Sequence, residues 1–319
     1  MENEKWLLGI DIGGTSVKLA FLSEEGDIIH KWEIPTNIAN NGSSIISDIG
    51  KSVHQKLAEL NVPHEKLKAA GVGAPGPIDQ EKGVMFEAVN LGWPDNYQLR
   101  NLMQEAVGVP VAIENDANSA ALGEMWKGAG KGAKDLIAIT LGTGVGGGVI
   151  VNGDIVHGAK GAAGEVGHIT AVPEGGYMCN CGKTGCLETV ASATGIVRTA
   201  KALLAEYEGD TKLNKNGDFT AKDIFDAAQA DDELALITVD SLANHLGLAL
   251  ANIGSTFNPE KIVIGGGVSK AGDFLIGKIG QYFKKYAFKP VGESTDIVLA
   301  QLGNDAGIAG AAWLAANKN

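Results

Sequence analysis

Residues 7–18, Leu7-Leu8-Gly9-Ile10-Asp11-Ile12-Gly13-Gly14-Thr15-Ser16-Val17-Lys18, decide how the chain is read. A run rich in Leu and Ile ends near an acid, turns through two glycines and leaves through a second β-rich run, so strands are expected over 7–12, 17–22 and 28–34. Asp11 then stands at a strand end. Gly13 and Gly14, having no Cβ, let backbone N–H groups approach an anion, while Thr15 adds a hydroxyl and Lys18 a cation. That set suits a phosphate and its metal ion. It also fits a plain Gly-Gly hairpin turn.

The same design returns in the second half. Residues 136–151, LIAITLGTGVGGGVIV, run an apolar strand into Gly142-Thr143-Gly144 and out again, and Asn152-Gly153 then signals a tight hairpin. The echo points to two related lobes. Gly142, Gly144 and Gly147 match G-x-G-x-x-G, but a dinucleotide fold needs a helix to start inside that motif, and the residues that follow read as strands. A phosphate-binding P-loop fails too: Gly182-Lys183-Thr184 has the right ending, but Tyr177 stands where the first glycine is required. A third strand, residues 262–269 (IVIGGGVS), runs through Gly265, Gly266 and Gly267 toward a helix. This is a nucleotide-facing turn or simply close strand-to-helix packing.

Around these turns the pattern alternates. A helix is expected over 43–60, with Ile45, Ile46, Ile49, Val53 and Leu57 at helical spacing, then strands at 67–73 and 109–114 and a helix at 117–127. Later come a helix at 192–206, helices up to 257, a strand at 261–264, a helix at 272–286, a strand at 296–300 and a closing helix from 305. The class is α/β. A small lobe is expected over 1–117 together with the closing helix 305–319, and a large lobe over 118–304.

Composition narrows the function. The 319 residues include 45 glycines, well above the roughly 7% of an average chain, in no collagen period and with 45% hydrophobic content. The glycines gather in turns at 13–14, 71–76, 142–148 and 265–267. With 26 basic against 38 acidic residues, the net charge of -12 argues against binding nucleic acid or an anionic membrane. The N-terminus is acidic where a secretory signal would be basic, and Gly, Asn and Asp interrupt every apolar run short of the roughly 18–20 residues of a membrane span. A cytoplasmic enzyme acting on small molecules is the expectation.

Two clusters carry chemistry. In Glu114-Asn115-Asp116, at a strand-to-helix boundary, Asp116 has two uses: to cap the helix, or to take the proton of a substrate hydroxyl that attacks a phosphoryl group. His168, Cys179, Cys181 and Cys186 provide an imidazole and every thiol in the chain, a closed tetrahedral set for a structural zinc ion. Such an ion would pin a loop that carries Glu165 and Glu188, two carboxylates able to accept sugar hydroxyls. His30, His54, His64, His157 and His245 show no partner spacing and read as surface or packing residues.

In this order the motifs DIGGTSVK (from Asp11), GVGAPGPID (Gly71), NLGW (Asn90), ENDANSAALGE (Glu114), LGTGVGGGVI (Leu141), GEVGHI (Gly164), CNCGKTGCLET (Cys179), IVIGGGVS (Ile262) and LGNDAG (Leu302) resemble the ROK family of bacterial sugar kinases, its glucokinases most of all. The resemblance implies a two-lobed, actin-like (ribonuclease H-like) ATPase fold with the active site in the cleft between lobes. It implies ATP with Mg²⁺ as co-substrate, a structural Zn²⁺, and transfer of phosphate to the 6-hydroxyl of glucose with Asp116 as general base. Asn90, Asn115, Asp116, Glu165, His168 and Glu188 match positions that hold the hexose. Asp11, Gly13, Gly14, Thr15 and Lys18 match the first phosphate element, Gly142, Thr143 and Gly144 the second, and Gly265, Gly266 and Gly267 the nucleotide-side turn. His168, Cys179, Cys181 and Cys186 match the zinc ligands. A homo-oligomer, dimer or tetramer, is also implied. The alternatives are a kinase of fructose, mannose or N-acetylmannosamine, or a sugar-responsive regulator, although the kinase-type motif opens at Asp11 and leaves no room for a DNA-binding domain before it.

Overall fold

The computed structural model describes residues 4–86, 90–214 and 216–318. Two compact units form. The first takes the chain up to Gly132, then Ile155–Ala163 and everything from Leu302; the second takes Ala133–Asp154 and Gly164–Gln301.

In the first unit, β1 (Trp6–Ile12), β2 (Ser16–Leu22) and β3 (Ile28–Pro35) make an antiparallel meander, as the sequence predicts. β4 (Leu67–Ala74) pairs parallel with β1, a small hairpin of β5 (Ile78–Asp79) and β6 (Val84–Met85) follows, and β7 (Val111–Asn115) pairs parallel with β4. The sheet order is β3-β2-β1-β4-β7. The period of two along each strand divides the side chains between two cores. Leu8, Ile10, Ile12, Val72 and Ala74 join a cluster with Ile45, Ile49 and Val53 of helix Ile45–Glu59 and with Leu99 and Met103 of helix Leu99–Val107. Leu7, Ala20, Leu22 and Ala69 pack on the other face against Ile308, Ala312 and Ala315 of the closing helix, Ala306–Asn317.

That closing helix lies unusually near its neighbours. A Cβ on Gly71 would sit 1.7 Å from the carbonyl oxygen of Ala311, and one on Gly310 would sit 1.6 Å from that of Ser119 in helix Asp116–Lys127. Gly71 therefore lies mid-strand for packing, not in a ligand-facing turn. Helix Asp116–Lys127 falls within the first unit, which continues to Gly132 where the sequence reading ended the small lobe near 117. The contact between Gly310 and Ser119 is the physical reason.

The second unit repeats the pattern. β8 (Leu136–Leu141), β9 (Val145–Val151), β10 (Asp154–Ile155), β11 (Lys261–Gly265) and β12 (Asp296–Leu299) lie in the order β10-β9-β8-β11-β12. The third strand is on the edge, the first in the centre and the last two parallel to it, as in the first sheet. Asn152 and Gly153 have φ of 55° and 83°, as the type I′ turn between β9 and β10 requires. Residues 145–151 form a strand, so the G-x-G-x-x-G spacing has no dinucleotide helix.

In helix Glu233–Phe257, Asp240, Asn244 and Gly247 interrupt the apolar run, as the sequence predicts. The helix has the length and apolar composition of a span, yet 61% of its most apolar window is buried inside the protein. Gly247 in it meets Tyr282 and Phe283 of helix Asp273–Tyr286, so it reads as a core helix of this unit.

Candidate functional site

The carboxyl ends of the parallel strands gather the chemistry of the first unit, the edge at which open α/β sheets bind ligands. Asp11 in β1 is in register with Gly73 of β4, and Gly73 with Glu114 of β7. Two inter-strand spacings, about 10 Å, thus separate the end of β1 from that of β7. Asp11 also pairs across the hairpin with Lys18, whose Nζ lies 3.6 Å from its carboxylate. Burial pushes the Asp11 carboxyl above its usual range, and Lys18 pulls it back only in part. The turn between them is closed by Gly13 N–H donating to the Ser16 carbonyl at 2.9 Å, while Gly14 and Thr15 stand exposed.

The junction of β7 with helix Asp116–Lys127 settles one question left open by the sequence. The cap is Asn115: its side-chain oxygen accepts the N–H groups of Ala117 at 2.9 Å and Asn118 at 3.2 Å, and its amide donates to the Gly76 carbonyl at 3.2 Å. Asp116 is the first helical residue, its Oδ1 accepting the N–H of Ala117 at 2.8 Å. A carboxylate at a helix N-terminus interacts favourably with the helix dipole. Among the described residues, Asn115 uses one of its two amide hydrogens, that donated to Gly76.

Beneath them lies a residue that sequence reading passed over. Glu114, 1% exposed, accepts four hydrogen bonds: from Asn115 N–H (2.8 Å), Asn118 Nδ2 (3.1 Å), Gln80 Nε2 (2.9 Å) and His157 Nε2 (2.6 Å). His157 and Glu114 are 43 positions apart, and only the fold joins them.

In the second unit, two glycine turns lie side by side at the carboxyl ends of β8 and β11, which are parallel neighbours with Gly265 opposite Thr140. Gly266, at φ +85°, lies against the backbone of Leu141, where a Cβ would be 2.4 Å from the carbonyl oxygen. The turn Gly142-Thr143-Gly144 is tied to the segment after the cysteines by three bonds. Ala193 N–H donates to the Gly142 carbonyl at 2.8 Å, Thr194 Oγ1 to that of Thr143 at 2.8 Å, and Val145 N–H to Glu188 Oε2 at 3.1 Å. A Cβ on Gly144 would lie 2.1 Å from that same carboxylate oxygen, so the glycine makes room for it.

His168, Cys179, Cys181 and Cys186 come together as the sequence predicts, their donor atoms all within 4.8 Å of one another. Cys179 Sγ lies 3.6 Å from His168 Nδ1, and Cys181 Sγ lies 3.6 Å from Cys186 Sγ. Ligand bonds of about 2.0–2.3 Å in a tetrahedron give edges of about 3.3–3.8 Å, so the donor set matches in kind and number, and these two distances match such edges. Cys179 N–H donates to the Lys183 carbonyl and Lys183 Nζ to the His168 carbonyl, each at 2.8–2.9 Å, knitting the loop to itself. Glu165 is exposed at the turn before His168, and Asn90 is exposed after a segment outside the described residues. The Glu165 carbonyl accepts the His168 N–H at 3.1 Å.

The sequence model of the ROK family matches residues 7–318, almost the whole chain. The chain belongs to the ROK family. Among its ROK relatives is a glucokinase of Halalkalibacterium halodurans, 52% identical over 315 residues that cover 98% of this chain and 95% of the relative. The crystal structure of a ROK glucokinase from Streptomyces griseus with glucose and AMPPNP superposes with a TM-score of 0.76 at 35% identity, covering 97% of this chain and 99% of that one. A ROK hexokinase from Thermus thermophilus gives 0.80 at 31% identity, covering 97% of each. The actin-like ATPase fold of these ROK kinases is the fold of this chain.

Proposed function

We propose that this protein is an ATP-dependent glucokinase that transfers the terminal phosphoryl group of ATP to the 6-hydroxyl of glucose. The observation that carries the reading is the 52% identity, over 98% of the chain, to a glucokinase. The geometry supports it in detail. Asp116, at the first position of the helix that Asn115 caps, accepts the proton of the 6-hydroxyl as its oxygen bonds to the γ-phosphorus and the bond from phosphorus to the β-phosphate oxygen breaks. Products are glucose 6-phosphate and ADP.

Asn90, Asn115, Glu165, His168 and Glu188 hold the hexose hydroxyls in this reading. The turns at Gly13-Gly14-Thr15, Gly142-Thr143-Gly144 and Gly265-Gly266-Gly267 present backbone N–H groups to the nucleotide, with Asp11 and Lys18 at the first. Mg²⁺ arriving with ATP supplies neutralisation of the triphosphate charge. Zinc is the ion that His168, Cys179, Cys181 and Cys186 would hold; four protein ligands leave no position for substrate, so its contribution is to fix the loop. His168 would offer Nδ1 to the metal, which leaves Nε2 for a sugar hydroxyl. The reading also expects a cytoplasmic dimer or tetramer that binds neither nucleic acid nor membrane.

A hexose panel tests it. Purified protein is assayed for ADP release with glucose, mannose, fructose and N-acetylmannosamine, each with MgATP and with polyphosphate. Glucose with MgATP should give the highest kcat/KM; a higher value for another hexose would reassign the substrate, and no turnover of any would refute the kinase reading.

A further inference from the structure

We propose that Glu114 and His157 are a positioning pair for the transfer step, holding the Asn115-Asp116 junction from beneath although neither touches a reactant. The proposal rests on the reading of Asp116 as general base and assigns a role to two residues outside that reading. Glu114 closes β7 directly before the junction and is 1% exposed. A buried carboxylate is tolerated only when its oxygens are fully hydrogen-bonded, and here each oxygen receives two donors. Oε1 faces Asn115 N–H and Asn118 Nδ2; Oε2 faces Gln80 Nε2 and His157 Nε2.

Three of these donors come from backbone or primary amides, which always present hydrogen. The imidazole nitrogen, 2.6 Å from Oε2, must carry its hydrogen too, since acceptor facing acceptor would repel. The carboxylate is thereby fixed against rotation, and the strand end with it. Two of its partners come from beyond the junction's own strand and helix: Gln80 follows β5, and His157 lies on Ile155–Ala163, a segment that returns from the second unit to join the first. Gly161 of that segment lies against the carbonyl of Ile78, where a Cβ would be at 2.6 Å. Asn115 reaches the same region through Gly76. Loss of the His157 donor would leave Oε2 with Gln80 alone, and the strand end that aims Asp116 would shift or loosen. A misplacement of about 1 Å near a reacting group costs on the order of 10²-fold in rate.

The test compares His157→Leu, which removes the donor, with His157→Gln, which keeps an N–H near the same place. His157→Leu should lower kcat by roughly 10- to 100-fold with KM for MgATP unchanged, and His157→Gln should restore most of that loss at a similar melting temperature. Placing His157→Leu in an Asp116→Asn background completes a cycle. If the pair acts through Asp116, the double variant is no slower than Asp116→Asn alone. Wild-type kcat in His157→Leu, equal losses in both His157 variants, or losses that multiply in the double variant would overturn the proposal while leaving the base assignment standing. Wild-type kcat in Asp116→Asn would instead overturn the base assignment and, with it, the target of the pair.

Discussion

Glu188 Oε2 accepts the backbone N–H of Val145 at 3.1 Å, joining the loop that follows the cysteines to the glycine turn at the end of β8. One side chain thus touches both the proposed hexose side and the proposed phosphate side of the second unit. The missing Cβ of Gly144 is what admits it.

Gly144→Ala should therefore act on both substrates. The added methyl group would push Glu188 off Val145, breaking a charge-assisted hydrogen bond of about 1.5–3 kcal/mol. Steady-state kinetics should show KM for glucose raised roughly 10- to 100-fold, with KM for MgATP raised as well. Unchanged KM for both would show that Glu188 finds an equivalent seat without this contact.

Metal removal should be felt through the same loop. Cys181 is exposed, so Cys181→Ala leaves no cavity, and its effect reports on the metal site. Zinc measured by mass spectrometry should fall from about one ion per chain to well below it, with KM for glucose raised and the melting temperature lowered. Full zinc content and an unchanged KM in this variant would rule out the four-ligand site.

Packing of the closing helix gives a prediction free of catalysis. Gly71→Ala and Gly310→Ala each drive a methyl group into a backbone carbonyl at 1.6–1.7 Å, and overpacking of this kind costs typically about 1–3 kcal/mol. Urea titration should show the midpoint lowered for both. Stability equal to the parent would mean that the helix can move away from β4 without loss.

Much of this architecture was legible because it rests on local signals. The strand periods around Gly13-Gly14 and Gly142-Thr143-Gly144 show directly in the residues, as do the five apolar positions of helix Ile45–Glu59, all of them buried. Helix Leu99–Val107 escaped the reading although it had a signal: Leu99, Met103 and Val107 recur every four residues, and Gly108 ends the helix at φ 72°. The capping role fell one residue from Asp116 onto Asn115, because both types favour the position and only the backbone decides between them. The glycine excess misled in part, since Gly71, read as part of a turn at 71–76, serves helix packing. His157 with Glu114, and Glu188 with Val145, are each separated by 43 residues, a distance over which no periodicity in one sequence carries information.

The central claim is that Asp116 takes the proton from the sugar, and the most direct measurement compares Asp116→Asn with the parent for both turnover and glucose binding. Loss of a general base typically costs about 10²–10⁴-fold, so kcat should fall by that factor while calorimetry shows the Kd for glucose within a few-fold of the parent. A variant that phosphorylates glucose at the parent's rate would contradict the account.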